Sequence, residues 1–535
     1  MDQHNRKLVL KWIKKQIKRC RFQCKNVALW GLWQGKGKPP VYPFLKPFTQ
    51  ELVNLCQEGL TLENKQTIKM YTLLGSLDLI AKAPILNMNQ HNGYFGCNKC
   101  LIEGEHLNNV HVYPYNESKK AISRTNDGCY NDAKKAILSG KKITCMDFYW
   151  VLQSVCCLCG LILQNTRNFT RNAKCTLIII SVTYYVYDVD KRLENMRPLD
   201  VISRRPRPLS GNIGHLKANE LRSWLLYYSL PCMECILPEI YWNHFALLVE
   251  ATHILLADKI SKDDLSWAES CLDLFYKYFE ELYAKTKCGL NVHNCSHLCQ
   301  SVRNWGPLWA WSCFGFESLN GRIIKQVHGT RNACSQVFKA FSGLKTIHSM
   351  MSDGRTKEIV KEGLTSMIIN KQSGGMNNWK VVNDAISLGG KSDTFIASEE
   401  LKGQVQLYNI SDSAEKYYKI RKNKVTYSSV EYKHATKTIN YVAELSINES
   451  KLFVEIQYFL CDQGRVYLCG KEIPRKENWC MLKEWHRSKL IRVDREISTI
   501  HFIAPVEFLC DKLFYIDGNR SCVCISKVPN IVEGD

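Results

Sequence analysis

TIKMYTLLGSLDLIAKAPILNM, Thr67–Met88, is the stretch whose reading sets the fold class. Apolar residues run from Met70 to Leu77 without the three- and four-residue spacing of a surface helix, which reads as a buried strand; a helical period then starts near Asp78. A strand feeding directly into a helix is the building unit of α/β proteins. A carboxylate at a strand's carboxyl end is where such folds place chemistry, and it is also a favoured helix N-cap. The spacing leaves both readings of Asp78 open.

Immediately downstream, HNGYFGCNKC (His91–Cys100) brings two thiols to CxxC spacing. A tight turn lets both thiolates reach one ion, and Gly93 and Gly96 are expected to permit that turn. Cys97 and Cys100 are therefore zinc-ligand candidates, or an ordinary thiol pair. A structural zinc needs four donors, and this pair supplies two. The remainder can come from His106, His111, His215, His293 or His297. His293 and His297, in NVHNCSH, stand at i and i+4, on one side of a helix. That spacing suits a metal as well as packing or capping, and no Glu follows His293 as a zinc-protease motif requires.

At 535 residues the chain exceeds one hydrophobic core, so two or three domains are expected. Hydrophobic content of 45% with 23% charged residues describes a folded protein. The formal charge of +21 points to nucleic acid, because clustered Lys and Arg neutralise phosphates and release counterions; the other reading is a basic, soluble surface. From Arg6 to Lys25 a basic helix is expected, with Leu8, Val9, Trp12, Ile13 and Ile17 on its apolar side. Lys14, Lys15, Lys18, Arg19 and Arg21 then face phosphates, or solvent. Twenty-five cysteines scattered through a large chain, behind an N-terminus without a secretory apolar core, indicate a reducing compartment, nucleus or cytoplasm. The apolar runs Phe148–Leu163 and Cys175–Tyr187 are shorter than the roughly 20 residues that span a bilayer, so buried helix and strand are expected and no membrane partner.

Between Arg192 and Lys287 the segments ANELRSWLLYYSL, IYWNHFALLVEATHILLADKIS and DDLSWAESCLDLFYKYFEELYAK repeat apolar residues at helical period. After about Asn377 alternating runs such as KLFVEIQYFL, GRVYLCG, STIHFIAPVEFL and KLFYIDG predict a small antiparallel β-domain. No P-loop, no GxGxxG after a strand and no GxSxG occurs, which argues against ATP hydrolysis, dinucleotide redox chemistry and serine-ester hydrolysis. If the partner is nucleic acid, phosphodiester chemistry uses two Mg or Mn ions held by carboxylates. Asp78 and Glu317 are the best placed; Glu317 lies in an aromatic stretch, where it serves as a metal ligand or as a buried acid paired with Arg322 or Lys325.

Four blocks carry a resemblance: NVALWGLWQGKGKPPVYPFLKPF, LDLIAKAPILNMNQHNGYFGCNKCLIEGE, LLYYSLPCMECILPEIYWNHFALLVEATHILL and NVHNCSHLCQSVRNWGPLWAWSCFGFESLNGRIIKQVHGTRN. Together, discontinuously from Asn26 to Asn332, they resemble the transposases of CACTA (En/Spm-type) DNA transposons. The resemblance implies an RNase H-like α/β core interrupted by a helical insertion, with an Asp-Asp-Glu triad binding two divalent ions for strand cleavage and joining. Asp78 looks like the second aspartate, Glu317 like the glutamate, and Cys97 and Cys100 like the family's CxxC element. The β-rich C-terminus is similar to a barrel-like appendage.

The departures set further expectations. The family's first aspartate lies upstream of the segment matching KLVLKWI, where this chain starts too late and Asp2 falls at the wrong offset. An Asp-x-x-His element, taken to complete the CxxC site, is replaced across roughly Cys145–Tyr187. The expected organisation is thus a truncated RNase H-like core with the CxxC element over 1–105, an aberrant Cys-rich segment over 106–190, the helical insertion and the rest of the core over 191–345, a linker over 346–376, and a barrel-like antiparallel domain over 377–535. The expected function is a transposase-derived DNA-binding protein, open to homo-oligomerisation, deficient in strand cleavage and with an incomplete zinc site. Two alternatives stand beside it: an active Mg-dependent transposase in which Asp2 or Asp147 substitutes, and a non-catalytic protein-interaction scaffold.

Overall fold

The computed structural model describes residues 31, 39–62, 64–70, 75–77, 85, 89, 92–117, 121–139, 154–156, 185–202, 204–212, 215–312, 321, 324–325, 327–329, 331–352, 354–368, 379–423, 425–432, 438–448, 450–476, 490–517 and 523–530. The chain groups into two compact units, one of Met1–Asn165 with Tyr276–Gln372, the other of Thr166–Phe275 with Ser373–Asp535.

The first helix, α1 (Val41–Gln57), ends where Gly59 turns to φ +86; a Cβ there would lie 2.8 Å from the Ile68 carbonyl oxygen, so only glycine fits. A short hairpin follows, β1 (Leu60–Thr61) with β2 (Thr67–Ile68). Next, β3 (Gly75–Leu77) pairs in parallel with a segment far along the chain, described below. The hairpin of β4 (Glu105–Leu107) and β5 (Val110–Val112) closes through Asn108 and Asn109, both left-handed at φ 49 and 61, the two-residue turn whose twist matches that of its strands. α2 (Asn126–Ser139) precedes β6 (Ser154–Cys156), the parallel partner of β3.

The helices that follow agree with the periodicity read from the sequence. α3 (Val186–Asn195) is followed by one continuous helical stretch, α4 (Ala218–Ser223), a π-helical segment Trp224–Tyr228 and α5 (Ser229–Met233). α6 (Glu239–Leu255) is buried on nearly all sides, as its apolar composition demands. α7 (Lys262–Tyr283) carries the boundary between the units, between Phe275 and Tyr276. Beyond it lie α8 (Leu290–Cys295), α9 (Leu298–Trp305), α10 (Ala333–Ser352) and α11 (Glu358–Ile368).

The second unit carries one large antiparallel sheet. Its strands are β7 (Trp379–Asn383), β8 (Ile386–Thr394), β9 (Glu415–Lys422), β10 (Val425–Ser428), β11 (Val442–Ile447), β12 (Ser450–Asp462), β13 (Arg465–Glu472), β14 (Leu490–Val493), β15 (His501–Pro505), β16 (Leu509–Asp517) and β17 (Val523–Lys527). Two-residue connections join β9 to β10, β11 to β12 and β12 to β13, and left-handed residues sit in them: Asn423, Asn448, and Gln463 with Gly464. Leu388, Ile420, Leu445, Val454, Ile456, Phe459 and Leu468 are fully buried and form the sheet's main core.

The strand order β14-β17-β16-β11-β12-β9-β8-β7 is open, and this corrects the barrel-like closure expected from the sequence. The reason lies in β12. Its first half pairs with β11 and its second with β9, while β13 takes its other edge, so the sheet branches there instead of curling shut. The architecture is a mixed α/β one. No helix of the described residues is long and apolar enough to cross a membrane.

Candidate metal centre

Cys97, Cys100, His293 and His297, all in the first unit, place one ligand atom each within 4.8 Å of one another. The two halves are built very differently. Cys97 and Cys100 sit on a turn between residue 92 and β4, held by backbone bonds on both sides: Phe95 N–H to Glu103 O at 2.9 Å, Leu101 N–H to Ile122 O at 2.8 Å and Arg124 N–H to Lys99 O at 2.9 Å. Within the turn the Lys99 N–H donates to Cys97 Sγ at 3.3 Å, which favours the thiolate. The left-handed residue of the turn is Phe95, at φ 55; Gly93 and Gly96 have no positive φ. Arg124 compensates for that strained position: its Nε donates to Cys97 O at 2.9 Å and its Nη2 to Phe95 O at 3.1 Å, with a side chain only 2% exposed.

The histidines come from the helical side. α8 starts at Gly289 and places His293 one turn in; His297 follows at i+4, just before α9, so both rings project the same way. His293 Nε2 lies 3.3 Å from Cys100 Sγ, His297 Nε2 lies 3.5 Å from Cys97 Sγ, and the two Nε2 atoms are 3.0 Å apart. Tetrahedral zinc, with bonds of 2.3 Å to sulfur and 2.0–2.1 Å to nitrogen, separates its ligands by about 3.3–3.8 Å. The three spacings given are close to these, and all four donors lie within 4.8 Å of one another. The shell around the donors is apolar and aromatic: Tyr113 stacks on His293 at 6.0 Å, and Leu290, Ile102 and Ala121 pack against the thiols. Tyr276 Oη lies 3.1 Å from His293 Nδ1.

Charge at the thiols is divided unequally. Burial raises Cys97, but the hydrogen bond from the Cys100 thiol and the two neighbouring imidazoles of His293 and His297 outweigh it and hold Cys97 well below the usual thiol range. The bond to Cys97 and then burial push Cys100 far above that range. The cluster can hold a metal such as zinc. Because all four donors come from the protein and Cys97, Cys100 and His293 are buried, such an ion would have no open position for substrate, which makes this a structural site.

The expected incomplete site is therefore corrected: the CxxC element meets its second half, and that half is the i, i+4 histidine pair. Of the other candidates, His111 is buried against Tyr94 and Tyr113, His106 faces it across the hairpin, and exposed His215 belongs to the second unit; none joins the cluster. CxxC spacing alone is not enough. Cys232 and Cys235 share it, yet one is buried and the other exposed, and among the described residues no other group of three such ligands converges. Asp78, Glu317, Lys14, Lys15, Lys18, Arg19 and Arg21 lie outside the described residues, as does Asp147. Sequence reading missed Arg124 and Tyr276, whose roles depend on contacts across tens to hundreds of residues.

Comparison with protein-family models, with curated proteins and with solved structures finds no match to this chain.

Proposed function

We propose that the chain is a zinc-stapled, DNA-binding protein of CACTA-transposase descent, with an RNase H-like first unit, acting on nuclear DNA. One observation carries this reading. Two of the blocks that resemble the family, those holding Cys100 and His293, 193 residues apart, converge on a single set of metal donors. The parallel pairing of β3, which ends at Leu77 beside Asp78, with β6 is compatible with such a core. The charge of +21 supplies the attraction to phosphate. Asp78 and Glu317 match two positions of the family's Asp-Asp-Glu triad, whose carboxylates hold two metal ions.

The test is the salt dependence of duplex binding by the zinc-loaded protein. Five or more phosphate contacts give a slope of log affinity against log salt steeper than about −4; a slope near zero returns the scaffold reading. Supercoiled plasmid with Mg or Mn tests for strand cleavage. Nicking that Glu317→Gln abolishes would replace binding alone with an active enzyme.

A further inference from the structure

We infer that Tyr276 is a positioning residue that locks His293 in the Nδ1–H tautomer and so keeps Nε2 bare for the metal; this rests on the zinc reading above. The argument is a count of protons. A phenol has one hydrogen to donate. Tyr276 Oη faces the Tyr113 carbonyl oxygen at 2.8 Å and the Pro114 carbonyl oxygen at 3.1 Å, two groups that only accept. Its single proton is committed to them. Oη can therefore meet His293 Nδ1, 3.1 Å away, only as an acceptor, and Nδ1 must carry the hydrogen. In the neutral ring the proton is then absent from Nε2, the atom 3.3 Å from Cys100 Sγ and 3.0 Å from His297 Nε2.

The arrangement is rigid at each link. Tyr276 and His293 are buried, their rings meet edge to face at 5.6 Å, and Tyr113 covers the other side of the imidazole. The Tyr113 N–H is itself bonded to the Cys288 carbonyl at 2.6 Å, which ties the acceptor strand to the segment just before α8. Outer partners of this kind orient a metal-bound imidazole and raise its basicity, and losing one lowers metal affinity by about 10- to 100-fold.

The test uses the full chain with ¹⁵N-labelled histidine and a chelator that competes for zinc. In the metal-free wild-type protein the ¹⁵N pattern of His293 is expected to be that of the Nδ1–H tautomer. Tyr276→Phe is expected to release the ring into a mixture and to weaken zinc binding by about 10- to 100-fold, with the absorption of the cobalt-loaded site still that of two thiolates and two imidazoles. An Nε2–H ring in metal-free wild type overturns the inference whether or not the variant folds; so does unchanged affinity in Tyr276→Phe. Failure of wild type itself to bind one equivalent of zinc or cobalt removes the metal reading, and this inference with it.

Discussion

Cys97 and His297 are 200 positions apart in the chain, and Cys97 Sγ lies 3.5 Å from His297 Nε2. A contact of that sequence separation closes a very long loop; besides the donors, the small apolar cluster around them and the bond from the Tyr113 N–H to the Cys288 carbonyl join the two segments. A bound ion therefore acts as a cross-link between the turn after residue 92 and the start of α9.

One zinc per chain is the first consequence, in protein purified without chelator. Since an ion that binds only the folded chain adds about 4 kcal/mol at a thousand times its Kd, chelation should lower the thermal midpoint markedly, and zinc should restore it. Cys100→Ser, which removes a donor but little volume, should behave like the chelated protein. Metal analysis showing much less than one equivalent, with no thermal response to chelator, would sink the staple.

Arg124 tests whether the turn is built for the site. Its guanidinium donates to the Phe95 and Cys97 carbonyls and stabilises Phe95 in a left-handed conformation. Arg124→Ala should cost about 1.5–3 kcal/mol of stability, the range for hydrogen bonds from a charged group, and should weaken zinc binding as well. Arg124→Lys should not restore either, because an ammonium lacks the planar fork that reaches both oxygens. Zinc competition and thermal melting of the two variants decide it; wild-type affinity in Arg124→Ala would show the turn forms without the clamp.

Zinc affinity should also rise with pH. Cys97 is lowered by the Cys100 thiol and the two neighbouring imidazoles, whereas Cys100 is raised because it donates to Cys97 and is buried. Binding must expel the Cys100 proton, so the metal-bound state carries fewer protons and is favoured as pH increases, by about tenfold per unit for one proton. Competition titrations at pH 6.5, 7.5 and 8.5 read the slope directly. A flat profile would mean that both thiols are already ionised in the metal-free protein.

How much of this was legible beforehand follows the range of each signal. The apolar period of α6 and α7 and the alternation through β12 and β13 are local, so those elements were readable from a dozen residues at a time. Cys97 with Cys100 and His293 with His297 were each visible as a spacing, but no spacing could say that the pairs meet. Tyr276 was hidden for a different reason: in DLFYKYFEEL its ring sits at an apolar position of a helix, and only the hydroxyl at its tip, resting against Tyr113 and His293, has a polar role. Closure of the β-region was misjudged because β12 divides its edges among β11, β13 and the earlier strand β9, where Phe459 pairs with Tyr417, and alternation within a strand does not record which strands it will meet.

The second unit offers an independent prediction at His244. Its ring is buried in α6, stacks on Phe275 at 4.6 Å and donates from Nε2 to the Phe275 carbonyl at 2.9 Å. Burial lowers its pKa to about 4, with the carbonyl bond opposing the shift only in part. In the unfolded chain the ring titrates near 6.5. Between these values the unfolded state binds a proton that the folded state refuses, so stability must fall as pH drops from about 6.5 to about 4 and level off below. The difference is worth up to roughly 3 kcal/mol. His244→Gln keeps a donor for the carbonyl but cannot take up the charge, so its unfolding free energy, measured by denaturant titration across that window, should lose this part of the acid sensitivity. Equal acid sensitivity in variant and wild type would place the titrating group elsewhere.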